Sequence, residues 1–114
     1  MKTLSWNVRG CNAPDKIRLI KRCLDQSKSD LVLLQETKIK EDDFSLFKNK
    51  FRRWECLLSR AQGASGGMAI LWKPNILEIT DFFLDSNWQW VRVVVKQLHC
   101  SFSVFNVYGP NNNA

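Results

Sequence analysis

Apolar and polar residues alternate over 1–8 (MKTLSWNV), with Leu4, Trp6 and Val8 on one side. That period predicts a half-buried strand, ended by Gly10. Pro14 suits the first turn of a helix, and Ile17, Ile20, Cys23 and Leu24 form one apolar stripe behind it. The run LVLLQ over 31–35 is apolar without alternation, the pattern of a central strand buried on both faces and of the parallel type. Residues 1–35 therefore predict a β-α-β unit with a right-handed crossover.

A polar loop follows over 36–43. Phe44, Phe47 and Phe51 recur at helical spacing and predict a short helix over 42–51. The acidic residues Glu41, Asp42 and Asp43 suit the dipole at its start. Residues 54–60 (WECLLSR) read as a strand, 62–67 (QGASGG) as a loop, and 68–72 (MAILW) as another apolar strand closed by Lys73-Pro74-Asn75. Residues 76–84, 88–96 and 98–107 read as strands with short connections, the spacing of an antiparallel meander. YGPNNNA (108–114) is turn-like.

This order predicts an α/β or α+β layered sandwich. Two short helices cover only one face of a sheet so wide. Val91, Val93, Val95, Phe102, Val104 and Val107 then call for a second covering layer. With the chain ending just after a central-looking strand, 1–114 reads as one domain that is half of a larger one.

Composition narrows the class. With 45% apolar and 25% charged residues in 114, the chain is a single globular domain and not a disordered tail. No apolar run nears the roughly 18 residues of a membrane span, so no membrane partner is expected. MKTLSWNVRG lacks the apolar stretch and small-residue cleavage site of a secretory leader, so the expectation is an intracellular, unsecreted protein. Cys11, Cys23, Cys56 and Cys100 form no CxxC pair, and His99 beside Cys100 is no zinc-finger spacing. Reduced thiols are favoured over a disulfide framework. The net charge of +6 suggests a polyanionic partner. Charge alone does not separate that from a solvated basic face on Arg18, Lys21, Arg22, Lys38, Lys40, Lys48, Lys50, Arg52 and Arg53.

Polar residues stand at three strand ends: Asn7 in SWNVRG, Glu36 in LLQETK, and Tyr108 with Asn111 in FNVYGPNN. Ligands of α/β sheets bind outside the carboxyl ends of strands. A carboxylate and an amide oxygen are hard ligands suited to Mg²⁺ or Mn²⁺. A phenol and an amide can donate to a phosphate oxygen as charge builds on it. Lys38 can neutralise phosphate or orient the Glu36 carboxylate. Taken singly, each of these residues is an ordinary loop or turn former.

SWNVRG, LLQETK, GGMAILW and NVYGPN, in this order, resemble the endonuclease/exonuclease/phosphatase superfamily, the fold of the apurinic endonucleases and of DNase I. More closely, the chain resembles the N-terminal endonuclease domain of plant LINE-type (non-LTR) retrotransposons, over nearly its whole length. The resemblance implies the first half of a four-layer α/β/β/α sandwich of the DNase I-like fold. It implies a Mg²⁺-dependent DNA endonuclease, with Mn²⁺ as a possible substitute. Asn7 and Glu36 resemble the metal-site residues, Tyr108 and Asn111 the pair on the scissile phosphate, and Lys38 a lesser neighbour of that site. A DNA substrate implies access to the nucleus.

The family's later motifs are absent: an Asp-x-Asn, a further Asp, and a C-terminal Ser-Asp-His. They supply a water-activating aspartate, a metal-linked aspartate and the catalytic histidine. His99, in the strand-like LHCSF with no Asp beside it, does not replace the last. The chain by itself is thus expected to be weak or inactive. The rival reading is a non-catalytic retroelement remnant that binds nucleic acid, self-associates, or pairs with a chain supplying the missing half. A second alternative keeps the superfamily but moves the substrate to another phosphoester. Trp6, Trp54, Trp72, Trp88 and Trp90 are expected mostly in core packing rather than base stacking, with Trp88 and Trp90 on one strand face. Gly66-Gly67 is expected as a turn before a strand rather than a phosphate cradle.

Overall fold

The computed structural model describes residues 1–108, so Asn111 and the rest of 109–114 lie outside the described residues. Strand β1 (Thr3–Asn7) leads through helix α1 (Pro14–Ser27) to strand β2 (Leu31–Gln35). The two strands pair in parallel, Thr3 opposite Leu31 and Asn7 opposite Gln35, as the apolar patterning predicts. Pro14 opens α1, Ile17, Ile20 and Leu24 form its buried stripe, and Lys28 closes it in the left-handed conformation.

The predicted second helix divides into a single 3-10 turn (Glu41–Asp43) and helix α2 (Phe44–Lys50), with Phe47 and Phe51 buried. Strands β3 (Glu55–Gln62) and β4 (Ser65–Trp72) form a hairpin. The loop expected over 62–67 shrinks to Gly63 and Ala64, because β3 and β4 keep pairing out to Gln62 and Ser65. The first sheet has the order β1-β2-β4-β3. Strand β2 is therefore parallel to β1 on one side and antiparallel to β4 on the other.

Strands β5 (Leu77–Leu84), β6 (Trp88–Val95) and β7 (Cys100–Val107) form the expected antiparallel meander. They do not extend the first sheet. They make a separate three-stranded sheet, which corrects the one wide sheet read from patterning and agrees with the two β layers that the resemblance implies. The second sheet packs on the face of the first that the helices leave open. Val91, Val93 and Val95 meet Leu31, Leu33, Ile70, Trp72 and Leu77 there, with Phe102 and Val104 at the side. On the other face, α1 and α2 cover Val32, Leu34, Ala69 and Leu71. The result is three layers, helix, sheet and sheet, in a mixed α+β fold.

Val107 does not join this core: it is 63% exposed, on the outer side of the second sheet. Phe83, Trp88 and Phe105 stand on that same outer side, Trp88 stacked between the other two with ring centroids 5.0 and 6.3 Å away. Trp6 and Trp54 pack against the helix-side core and Trp72 lies between the sheets, so three of the five tryptophans serve packing, as expected. His99 is a turn residue with positive φ, not a strand residue. All four cysteines are free thiols. Burial pushes Cys11 and Cys56 up to about 12, so neither is a reactive thiolate near neutral pH. Among the described residues no helix is long and apolar enough to cross a membrane.

Ile70 has no exposure and faces the second sheet from the centre of β4. Ile70→Ala is expected to lower stability by about 2–5 kcal/mol through lost burial and the cavity left behind. Urea unfolding measures this, and a loss below about 1 kcal/mol would mean that the sheets do not pack through this residue.

Candidate functional site

Strands β1 and β2 end side by side, and the chain leaves both through left-handed turns. Asn7 closes β1, and its Oδ1 accepts a hydrogen bond from the Arg9 N–H at 3.0 Å. Arg9 (φ 53°) and Gly10 (φ 95°) then turn the chain away. Glu36 is the first residue past β2, at φ 56°, and Lys38 follows at φ 57°. Three non-glycine residues in this region within one small cluster cost about 1 kcal/mol or more each.

Backbone hydrogen bonds on both sides hold that strain. The N–H groups of Gly10 and Cys11 donate to the carbonyls of Glu36 (2.6 Å) and Thr37 (3.0 Å). The N–H groups of Thr37 and Lys38 donate to Gly67 (3.0 Å) and Gly66 (2.9 Å). The Asn12 amide donates to the Lys38 carbonyl at 2.9 Å. Residues 36–38 are thus clamped between the loop after β1 and the first turn-like residues of β4.

Gly66 and Gly67 are not the turn before a strand that the sequence suggests. They lie inside β4 with φ of 80° and 88°. A Cβ on Gly67 would come within 2.5 Å of the Thr37 hydroxyl and 3.0 Å of the Lys38 nitrogen. Gly67 is therefore a site residue that sequence reasoning assigned to a turn; the doubled glycine was the available signal.

Tyr108 stands just past β7, tied by its N–H to the Asn87 carbonyl at 3.0 Å. Its phenol donates to Glu36 Oε1 at 3.4 Å, a long contact across the two sheets. Partial desolvation, then the Glu36 charge, then that hydrogen bond raise the phenol above its ordinary value of 10.0. So Glu36 and Tyr108 come together, and Asn7 sits one strand over, opposite Gln35. Lys38 makes no ion pair with Glu36; its stem passes Gly10.

A divalent metal fits this donor set narrowly. Among the described residues no three of His, Cys, Asp and Glu gather to form a cage. Mg²⁺ needs no such cage, since it binds through one or two carboxylates, keeps several waters and takes substrate phosphates. Among the described residues Glu36 has no ion-pair partner, which leaves its carboxylate unneutralised at a strained turn.

The basic residues are distributed differently from the carboxylate. Lys21, Lys50, Arg52 and Arg53 line a cleft of about 390 Å³ with Trp54. That cleft lies at the start of β3, whose Glu55 is opposite Trp72, itself opposite Leu31 at the start of β2. Glu36 is at the other end of the same sheet. This basic cleft, which also holds Asp25, therefore does not line the site. His99 is also remote, about 30 Å away along β7 from Tyr108.

A helix-covered mixed sheet packed on an antiparallel sheet, with polar groups at the strand ends, is a layered nuclease-like scaffold. The profile of the Endonuclease/Exonuclease/phosphatase family matches residues 4–111, and the chain belongs to that family. This is a superfamily of metal-dependent nucleases and phosphatases acting on DNA and other phosphodiesters. Among solved structures, the chain is similar to an AP endonuclease from Leishmania major (TM-score 0.75, 14% identity), covering 96% of this chain and 40% of that one. It is similar to a 3'-5' exonuclease from Neisseria meningitidis (TM-score 0.70, 24% identity), covering 100% and 43%. A Neisseria 3' phosphatase bound to a product DNA hairpin is also similar (TM-score 0.67, 21% identity), covering 92% and 40%. The chain thus spans less than half the length of these structures. No curated protein matches it.

Two outcomes test this geometry. Gly67→Ala is expected to cost about 1–3 kcal/mol, because both backbone angle and contact oppose a methyl group there; unchanged urea unfolding would refute the close approach. Tyr108 is the chain's one tyrosine, so ultraviolet titration reads it alone. Its midpoint should lie above 10.0 and move down in Glu36→Gln. Because the folded value is raised, its contribution to stability is present below pH 10 and lost as pH rises through the folded midpoint. A midpoint indifferent to Glu36 would show that the two groups do not meet.

Proposed function

We propose that this chain is the N-terminal half of a divalent-metal-dependent DNA endonuclease of retroelement type, carrying half of its active site. The observation that supports this most is the Tyr108 phenol held against the Glu36 carboxylate, which has no ion pair among the described residues, on a turn strained at Glu36 and Lys38. In this reading Asn7 and Glu36 hold Mg²⁺, for which Mn²⁺ can substitute. The ion would polarise a phosphoryl oxygen and stabilise charge as it develops. Tyr108 donates its proton to a phosphate oxygen in place of Glu36, and Asn111 is assigned to the same phosphate by motif alone. Lys38 adds positive charge at the strand ends. The DNA backbone is the partner, in keeping with the net charge of +6, and the place of action is the nucleus.

The groups that would activate water and protonate the leaving oxygen are assigned to the second half of such a domain. A second reading, a non-catalytic remnant that pairs with another chain, is favoured by the outer face of the second sheet. Phe83, Phe105 and Val107 are 51%, 58% and 63% exposed there, around Trp88.

Manganese binding, followed by electron paramagnetic resonance, tests the site directly. The chain should bind Mn²⁺, and Glu36→Ala should weaken binding at least about tenfold, as loss of a metal's charged ligand does. Binding that ignores Glu36 would overturn the metal assignment. Nicking of supercoiled plasmid with Mg²⁺, Mn²⁺ or EDTA then tests whether the half-site is completed. Metal-dependent nicking lost in Glu36→Ala supports an enzyme that the chain completes by itself or as a dimer. Nicking no greater than the variant's fits a half-site that keeps Mn²⁺ binding at Glu36, and supports the remnant where that binding is absent as well.

A further inference from the structure

Between the two sheets the core is aliphatic until one level, where it turns to amides. Along β2 the inward residues are Leu31, Leu33 and then Gln35; along β6 they are Val95, Val93, Val91 and then Gln89; along β7 they are Phe102, Val104 and then Asn106. Gln89 and Asn106 are opposite each other in the second sheet and are 0% and 1% exposed. In the first sheet Ser59, Met68, Gln35 and Asn7 occupy one row across all four strands. The two rows bond to each other. Gln35 Nε2 donates to Asn106 Oδ1 at 2.8 Å. Asn106 Nδ2 donates to Gln89 Oε1 at 3.0 Å, and it also reaches the Leu34 and Ala69 carbonyls at 3.2 and 3.3 Å. Gln89 Nε2 donates to Ser59 Oγ at 2.9 Å and approaches the Met68 carbonyl at 3.3 Å.

We propose that the Ser59–Gln89–Asn106–Gln35 ladder is the device that positions the Tyr108 phenol over the Glu36 carboxylate. This rests on the reading of Glu36 and Tyr108 as one site. Glu36 directly follows Gln35, and Tyr108 comes two residues after Asn106. The 2.8 Å bond between Gln35 and Asn106 therefore fixes, one step away, the separation of the two functional groups across the sheets. Aliphatic side chains at this level would bury as well in a shifted packing of one sheet on the other, since hydrophobic contact has no direction. Amides bond only to partners within reach, so a shifted packing would leave some of them unpaired, and a buried amide left without a partner costs about 1–3 kcal/mol. Ladder and site thus form a register lock and the groups it sets. Asn106, Gln89 and Gln35 are positioning residues in this scheme and touch no substrate.

Tyr108 is the chain's one tyrosine, so fluorotyrosine labelling gives a single fluorine resonance that reports its surroundings without metal or substrate. Glu36→Gln should shift that resonance in the otherwise unchanged chain. Asn106→Leu should destabilise the fold, leaving Gln89 Oε1 without its donor. The double variant Asn106→Leu/Gln89→Leu makes the second sheet's side of this level aliphatic, leaves Ser59 and Gln35 in place on the first sheet, and should recover part of the lost stability in urea. In that recovered background Glu36→Gln should no longer shift the resonance, and Mn²⁺ should no longer broaden it as in the parent. A stable double variant that keeps the full Glu36-dependent shift would overturn the positioning role. If Mn²⁺ broadens nothing even in the parent, the metal reading fails while the shift arms still decide the ladder. A parent resonance blind to Glu36→Gln would overturn the ladder's role together with the contact it is said to set.

Discussion

The structure depends on a strand that is covered on both sides. Leu31, Val32, Leu33 and Leu34 of β2 are at most 7% exposed, alternate residues facing the helices and the second sheet. A five-residue strand in that position must have neighbours in its plane and layers above and below it. Strand β1 and the hairpin of β3 and β4 supply the first, α1 and α2 the second, and the meander of β5 to β7 the third. Glu36 is where this strand leaves the interior. Its carboxylate emerges at a fixed place because the residues before it have no freedom to move.

That rigidity explains how backbone strain persists beside Glu36. Arg9, Glu36 and Lys38 in left-handed conformations would relax if their loops were free. They are joined instead to each other and to the backbone of Gly66 and Gly67, so relaxing one requires breaking a run of hydrogen bonds. The thiol of Cys11 adds a contact to the Thr37 carbonyl at 3.2 Å. The Thr37 hydroxyl is buried without a partner, a small loss of hydrogen bonding where the loop and Gly67 are pressed together.

Much of this was legible in the chain. LVLLQ announced a doubly buried strand because nothing polar interrupts it, and Pro14 with the stripe of Ile17, Ile20 and Leu24 announced the helix before it. Glu36 and Tyr108 were legible as polar groups at strand ends, and they do meet. The division into two sheets was legible only through the resemblance, which implied two β layers, and not in the patterning. Alternation in 76–107 shows that strands have two faces, and it does not say which surface each face covers. The glycines at 66 and 67 look the same in a turn as in a strand pressed against a loop. Gln35, Gln89 and Asn106 read as ordinary polar positions, because satisfaction of a buried amide depends on partners up to 72 residues distant. Asn111 was named by motif and lies outside the described residues.

The charges of the molecule are arranged along the same axis. At the exit of β2 stands a carboxylate with no cation paired to it among the described residues, and at the entry end Lys21, Lys50, Arg52 and Arg53 line a cleft. A polyanion drawn to the positive end gains affinity without approaching Glu36, and a phosphate brought against that carboxylate itself is repelled unless a cation, Lys38 or a metal ion, stands between them. In the proposed function, attraction to nucleic acid and chemistry at the strand ends are therefore separable. The first follows from exposed lysines and arginines and weakens as salt screens them. The second would require that a cation neutralise one fixed carboxylate, which a folded β2 holds in its place.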